Sequence, residues 1–276
     1  MLSVDEEGLI QENAYVPEHI YHYVTSISGS EPFYYEPFLC YEKEDHVLLV
    51  GYPIHGEFDE NRFRSLIHQL KRKRKKAKIS AILPRMLGNG PTITSDSYYV
   101  LDLMDFRISQ KTRNILKRAK KEVKVEKDRG LTFEHMNLIE EFITEKNMEE
   151  RMSFIFRRLR DYVENSPYVT VISARNLNGN LVAFDLLDTF SSTYAFYMFN
   201  VRTKKDYIPG TSDALFEEMI NLALSGGKRF INLGLGINEG VSFFKKKWGG
   251  KPFLPYYLYE WEPRKRIIDL FLEGFV

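Results

Sequence analysis

The chain has 276 residues, 43% apolar and 28% charged, enough for two ordinary domains or one large one around a real core. A net charge of +1 excludes a molecule that holds nucleic acid by overall charge, although basic residues cluster locally. The single cysteine, Cys40, excludes an internal disulfide and a cysteine-rich metal site; with no signal peptide and no apolar run of membrane-spanning length, the expected location is cytoplasmic.

The first ~15 residues are polar and read as an arm or cap. "YEPFLCYEKEDHVLLVGYPI" predicts two strands around a polar turn at Lys43–Asp45. In "DENRFRSLIHQLKRKRKKAK" the apolar residues Phe63, Leu66, Ile67 and Leu70 recur at helical spacing behind Asp59 as N-cap. "ISAILP" and "SYYVLDL" predict short strands, with Gly88, Gly90 and Pro91 punctuating the loop between them. "SQKTRNILKRAKK" opens on a Ser109 N-cap and sets Ile115, Leu116 and Ala119 on one face; a strand at Val123–Val125 and two amphipathic helices, "FEHMNLIEEFITEKNMEE" and "FIFRRLRDYVENS", follow. Three strands come next, joined by turns at Asn178-Gly179 and Ser191-Ser192. "SDALFEEMINLALSGG" is a helix ended by Gly226-Gly227, "RFINLGLG" a buried strand, "EGVSFFKKKWG" a short helix, "PFLPYYLYEW" a strand and "PRKRIIDLFLEGF" a closing helix. The N-terminal part repeats the strand–helix–strand grammar in shorter form, which points to structural duplication.

Gly234, Gly236 and Gly240 have a spacing suited to the phosphates of a dinucleotide. That reading needs a βαβ unit to follow, with an acid ~20 residues on at a second parallel strand. Only one strand and one helix remain, and Glu260 follows a strand expected to pair antiparallel, so the dinucleotide reading fails on context. His19 and His22 have no carboxylate or cysteine set to complete a metal site, and Cys40 has no histidine partner suggested for covalent chemistry. Asp185 and Asp188 lie in an otherwise apolar strand, where an acid needs a reason; Asp188 adjoins a turn that it can cap. The run "KRKRKKAK" (Lys71 to Lys78) has no interleaved aromatics and reads as a solvated helix end.

Two motifs carry a family resemblance. "SQKTRNILKRAKK" is similar to the Ser-x-Lys-Thr-Arg-x-x-Ile-x-x-Ala helix start of Fem-type aminoacyltransferases, and "FFKKKWGGKP" to their Phe-Lys-x-x-aromatic-Gly segment. With the order of elements, this resembles the Fem-type tandem branch of the GNAT acyltransferase superfamily, from roughly Ser109 to Trp261 and in outline before that. The resemblance implies an α/β (α+β) fold of two tandem GNAT-like domains, each a mixed, mainly antiparallel sheet flanked by helices, at 1–108 and 109–276. The second would hold the donor, and the last helix would fold back on the first domain. The donor would be acyl-coenzyme A, or alternatively aminoacyl-tRNA, and the acceptor a small-molecule or peptide amine attacking directly in an interdomain cleft. The chain is shorter than peptidoglycan aminoacyltransferases and lacks the long helical hairpin that some insert. A catalytically silent binding protein is a further alternative.

In this family the donor loop reads Gln/Arg-x-x-Gly-x-Gly/Ala. Here "YIPGTS" puts Tyr207 where Gln or Arg is expected and Gly210 and Ser212 at the last two positions. Gly210 would admit a phosphate, Thr211 and Ser212 offer hydroxyls, and Arg202, Lys204 and Lys205 add charge; the same letters also describe an ordinary Pro-Gly turn before a helix. The strand "TYAFYMFNV" would splay from its neighbour and pair with the donor arm through Phe199, Asn200 and Val201. Strict alternation puts Tyr194, Phe196, Met198 and Asn200 on one face and Ala195, Tyr197, Phe199 and Val201 on the other, without saying which lines the groove. Asp185 is the first candidate for taking the amine proton, with Tyr197 and Glu239 behind it. Gly236, Lys245 and Trp248 would form an acceptor-side wall, and Lys111 and Arg113 would meet an anionic substrate or, with Lys71–Lys76, tRNA. On a helix with three consecutive lysines, a solvated face is the competing account of Lys245.

Overall fold

The computed structural model describes residues 1–88 and 92–262. The expected closing helix and the Gly90-Pro91 punctuation lie outside the described residues. Two helices open the chain, α1 (Val4–Asn13) and α2 (Tyr21–Ser28), with a short 3-10 turn at Pro17–His19 between them. The expected polar arm is therefore helical. Ser3 and Glu6 cap α1 reciprocally, Ser3 N donating to Glu6 Oε2 (2.7 Å) and Glu6 N to Ser3 Oγ (3.3 Å), and Ile10 anchors it in the core.

The chain forms two compact units that interleave in sequence. The first holds Met1–Glu6, Ser30–Asp96 and the chain from Pro255; the second holds Glu7–Gly29 and Ser97–Leu254. Each contains segments from both sides of position 108.

In the first unit, β1 (Glu31–Tyr35), β2 (Phe38–Lys43) and β3 (His46–Val50) form an antiparallel meander; Glu44, in the β2–β3 turn, takes a left-handed conformation. Next, α3 (Glu60–Lys73) crosses over to β4 (Lys78–Leu83), which runs parallel to β3. Asp59 caps α3, accepting from Asn61 N and Arg62 N, and Phe63, Leu66, Ile67 and Leu70 pack on the sheet as their spacing requires.

The second unit contains the end of β5 (Thr92–Asp102), then α4 (Gln110–Ala119), β6 (Val123–Asp128), α5 (Phe133–Lys146), α6 (Glu150–Arg157) and α7 (Leu159–Asn165). The helix expected over "FIFRRLRDYVENS" is thus two, broken where Arg158 leaves helical geometry at ψ 2°. An antiparallel meander of β7 (Val169–Asn176), β8 (Leu181–Asp188) and β9 (Tyr194–Arg202) follows, and α8 (Thr211–Ser225) crosses over to β10 (Phe230–Leu235), parallel to β9. After α9 (Glu239–Lys247) comes β11 (Lys251–Trp261), whose Tyr257–Trp261 end pairs antiparallel with β4 in the first unit. In the second unit the strand order is β5-β10-β9-β8-β7-β6, with one parallel pair. One face buries a core with α4 and α8, including Leu116, Ala119, Phe216 and Trp248; the other packs on α2, α5, α6 and α7 through residues such as Ile27, Ile139 and Phe156.

Candidate functional site: the opening between β9 and β10

The parallel pair β9–β10 holds only from Tyr194↔Phe230 to Phe196↔Asn232; beyond that the strands part. Local chemistry explains why. Asn232 is fully buried, and its side chain donates to Tyr15 O (2.8 Å) and accepts from Gly234 N (2.8 Å). Gly234 takes a φ of +71°, and the pairing of β10 with β5 shifts register between Asn232 and Gly234. That bulge bends β10 away. A second irregularity, opposite Leu186/Leu187 of β8, falls at Met198. It changes the expected faces: Tyr197 packs with the α8-side core, whereas Met198 and Phe199 both pack on the α5–α7 side. Strict alternation placed Tyr197 and Phe199 together, and the extra residue separates them.

The parted strands border a groove of about 700 Å³ lined wholly by the second unit. Tyr197, Phe199 and Asn200 line it, as do Tyr207, Gly210, Thr211 and Ser212; Val201, Lys204 and Lys205 do not. Val201, on β9, is buried in the α5–α7 side core, Lys204 borders a smaller adjoining chamber of about 200 Å³, and Lys205 faces solvent.

Gly210 is the N-cap of α8 at φ +88°, and a Cβ there would sit 2.8 Å from Ile115 Cγ2 and 3.1 Å from Ala119 Cβ of α4. Glycine is required both by the left-handed backbone and by the close approach to α4. With glycine as cap, no side chain covers the first-turn amides of α8; Thr211 N donates to Ile208 O (3.3 Å), and the turn carries the partial positive charge that suits an anion. Thr211 Oγ1 is occupied, donating to Ile208 O (2.8 Å), which leaves Ser212 as the available hydroxyl of this turn. Arg202 stacks over Tyr207, its guanidinium 5.1 Å from the ring centroid, so the residue standing where Gln or Arg was expected instead holds an arginine at the mouth of the groove.

Asp185 is fully buried on β8, directly opposite Asn200, and lies behind the groove. Asn200 Nδ2 donates to its Oδ1 (2.6 Å); Tyr197 also favours the carboxylate, though Oδ2 has no partner of good hydrogen-bond geometry. Burial pushes the Asp185 carboxyl up to about 8, and burial together with this acid pushes the Tyr197 phenol well above its ordinary value. Asp188 is the turn cap that its position suggested: it accepts from Tyr162 Oη (2.6 Å) and Phe190 N (2.7 Å), and burial raises it to about 6.

The wall formed by β10 and α9 uses its candidates differently from the sequence expectation. Lys245 borders the groove, yet it is only 4% exposed, because its ammonium turns in to Leu235 O at the end of β10 and lies 5.7 Å from the Tyr99 ring. Trp248 is 1% exposed and belongs to the core; its Nε1 donates to Asp213 Oδ1 (2.8 Å), and its ring stacks on Phe106. Lys247 pairs with the same Asp213, so this carboxylate in the first turn of α8 ties the end of α9 to it. Gly236 is buried beside the groove and donates to Ser97 O, while Glu239 is exposed at the start of α9, outside the lining. Lys111 and Arg113 are exposed on α4 and do not line the groove; Arg113 is turned back onto Ile108 O (2.9 Å).

Asn232 and Asp213, which shape the site, escaped the sequence reading, although Asn-x-Gly at the end of an apolar strand is a usable signal for a side chain that bonds two residues on. Among the described residues no three or more His, Cys, Asp or Glu side chains are grouped to hold a metal, and no helix is long and apolar enough to cross a membrane. His19 is buried against the Tyr15 ring, burial lowers His22, and the buried Cys40 thiol is pushed far up.

No family model matches the chain, and no curated protein sequence matches it. Solved structures do. FemX superposes with a TM-score of 0.62 at 11% identity, covering 100% of this chain and 99% of its own. L-PGS from Bacillus licheniformis gives 0.60 at 13%, covering 98% and 95%. A tandem GNAT protein from the clavulanic acid biosynthesis pathway gives 0.55 at 12%, covering 83% and 79%. The fold is therefore that of Fem-type tandem GNAT proteins, mixed α/β with mainly antiparallel sheets flanked by helices.

Proposed function

We propose that the chain is an N-acyltransferase whose second unit binds an acyl-coenzyme A in the β9–β10 groove and passes the acyl group to an amine. The observation that carries this reading is the divergence of β9 from β10 beside the glycine-capped N-terminus of α8. The parted edge of β9 offers backbone groups to an amide-bearing arm, and the uncovered α8 amides and Arg202 suit a pyrophosphate. In the transfer, the amine nitrogen attacks the thioester carbonyl, the C–N bond forms, the C–S bond breaks, and the departing thiolate takes up the proton that the amine releases. A carboxyl raised to about 8 is mostly protonated at neutral pH and lies behind Asn200, so Asp185 acts as a positioning residue for that side chain. Holding amine and thioester together then supplies most of the acceleration. The test is thermal unfolding with coenzyme A: a rise in Tm that grows with ligand supports the reading, and an unchanged Tm at millimolar ligand overturns it.

A second reading, aminoacyl transfer from tRNA to a peptide or cell-wall precursor, is favoured by the exposed basic face of α4, where Lys111, Arg113, Lys117 and Arg118 lie in the same unit as the groove. Salt-sensitive retention of bulk tRNA, lost on charge reversal at these positions, would select it. Donor binding without turnover on a broad amine panel would instead indicate a silent binding protein.

A further inference from the structure

The groove is amphiphilic. Cationic side chains and a helix N-terminus line part of it, while α6, the β10–α9 loop and α9 contribute Met152, Phe156, Ile237, Val241 and Phe243. Three of these are held in water, Met152 at 46%, Ile237 at 74% and Phe243 at 67% exposure. Single exposed apolar residues are ordinary, but three bordering one groove mark a surface waiting to be covered. Ile237 strengthens this, because its φ is +57° and Asn238 N donates to Gly236 O (2.6 Å) around it. A β-branched residue in left-handed backbone is strained, and here it presents a largely exposed sec-butyl side chain at the lip of the groove.

Charge restricts the occupant further. The lining holds Lys146, Arg202, Lys245 and Lys247 but only two carboxylates, Asp206 and Asp213. Asp213 is committed to Trp248 and Lys247, and Asp206 lies on the exposed loop beside Lys204 and Lys205. Within the lining beside α6 and α9 a cationic acyl group would meet no further carboxylate, since Glu150 and Glu239 of these helices are exposed outside it. An acetyl group would leave the apolar wall wet.

We propose that this wall holds the hydrocarbon chain of the donor, so that the transferred group is an apolar acyl group of about six carbons or more. The inference rests on the acyl-coenzyme A reading above. Methionine suits the role, since its flexible thioether adapts to chains of different length.

Calorimetric titration of the full chain with coenzyme A, acetyl-, hexanoyl-, octanoyl- and 6-aminohexanoyl-coenzyme A, all below micellar concentration, separates the two claims. Octanoyl-coenzyme A should bind at least tenfold tighter than acetyl-coenzyme A, and the 6-aminohexanoyl thioester no tighter than acetyl. Phe243→Asp and Met152→Asp, both at exposed positions, should abolish the gain with chain length while coenzyme A itself still binds. Equal affinities for acetyl and octanoyl, a gain that survives both substitutions, or tight binding of the aminohexanoyl thioester would each overturn the chain-length inference alone. Failure of every thioester and of coenzyme A to bind would remove the donor reading and this inference with it.

Discussion

Each unit contains a meander followed by a strand–helix–strand crossover, β3–α3–β4 in the first and β9–α8–β10 in the second, and the two crossovers differ in three ways that bear on function. In the first, the parallel pair runs unbroken from His46↔Lys78 to Val50↔Ile82, Gly51 N continues it onto Ile82 O (2.8 Å), and the buried Tyr52 lies just beyond. In the second, pairing ends after three residue pairs. In the first, the Asp59 carboxylate covers opening amides of the helix; in the second, Gly210 puts no side chain over them. On the neighbouring strand the first unit pairs Cys40 with Leu49, and the second pairs Asp185 with Asn200. One architecture gives a closed, apolar crossover and an open, polar one. The difference lies in a handful of residues along the crossovers and the strand beside them, and not in the order of elements.

The largest expected effect concerns the buried acid that only the open crossover carries. Asp185 has a folded value of about 8 against an ordinary 3.8, so between those values the folded state holds a proton that the unfolded state has lost. Stability therefore falls as pH rises through that window, by up to about 1.4 kcal/mol per unit. Asp188 adds a similar slope, but only up to about 6. Asp185→Asn keeps an amide beside Asn200 and should flatten the decline between pH 6 and 8, as read by urea unfolding. Parallel curves for the two proteins would show that Asp185 ionises freely in the fold.

Next in size is the closed crossover. A Cβ on Gly51 would meet Leu83 Cδ2 at 2.3 Å and Ile82 O at 2.8 Å. Backbone cannot yield as a side-chain tip can, and Gly51→Val should destabilise the chain by about 1–3 kcal/mol. A mutant as stable as the parent would show that the first crossover has room to open.

Much of this was legible in the sequence. Helical spacing and capping residues gave α3 and α4, turn dipeptides separated β7, β8 and β9, and position in the resembled fold pointed to Gly210. What stayed hidden is what depends on partners distant in sequence. The bulge at Met198 is visible only against β8, so the faces of Tyr197 and Phe199 were misassigned. Trp248 looks like a ligand-binding residue in a motif but is core, and both its burial and the inward turn of the groove-lining Lys245 are set by Asp213, Phe106 and Leu235, which lie 10 to 142 positions away. Glu6 betrayed the first helix through its spacing from Ser3, a signal that the polar composition of the segment masked.

Giving the open crossover an acid like that of the closed one should abolish its anion site without harming the fold. Ser212→Asp places a carboxylate in the first turn of α8, where the helix dipole favours it by about 0.3–1 kcal/mol. Unfolding should be unchanged or slightly harder, while coenzyme A affinity falls at least tenfold, about 1.4 kcal/mol. Retained affinity would place the phosphates elsewhere in the groove.

The reverse experiment gives the smallest effect and the cleanest control. Asp59→Ala removes the bonds to Asn61 N (2.8 Å) and Arg62 N (3.1 Å) and bares the amides of α3. Loss of such a cap costs about 1 kcal/mol, which chemical unfolding resolves. Uncapped amides alone do not make a donor site, because β3 and β4 stay paired through Val50↔Ile82 and Tyr52 stays buried just beyond them. The variant should therefore bind coenzyme A with the parent's stoichiometry and affinity. A second equivalent of ligand in Asp59→Ala would show that cap chemistry alone, without strand divergence, separates an open crossover from a closed one.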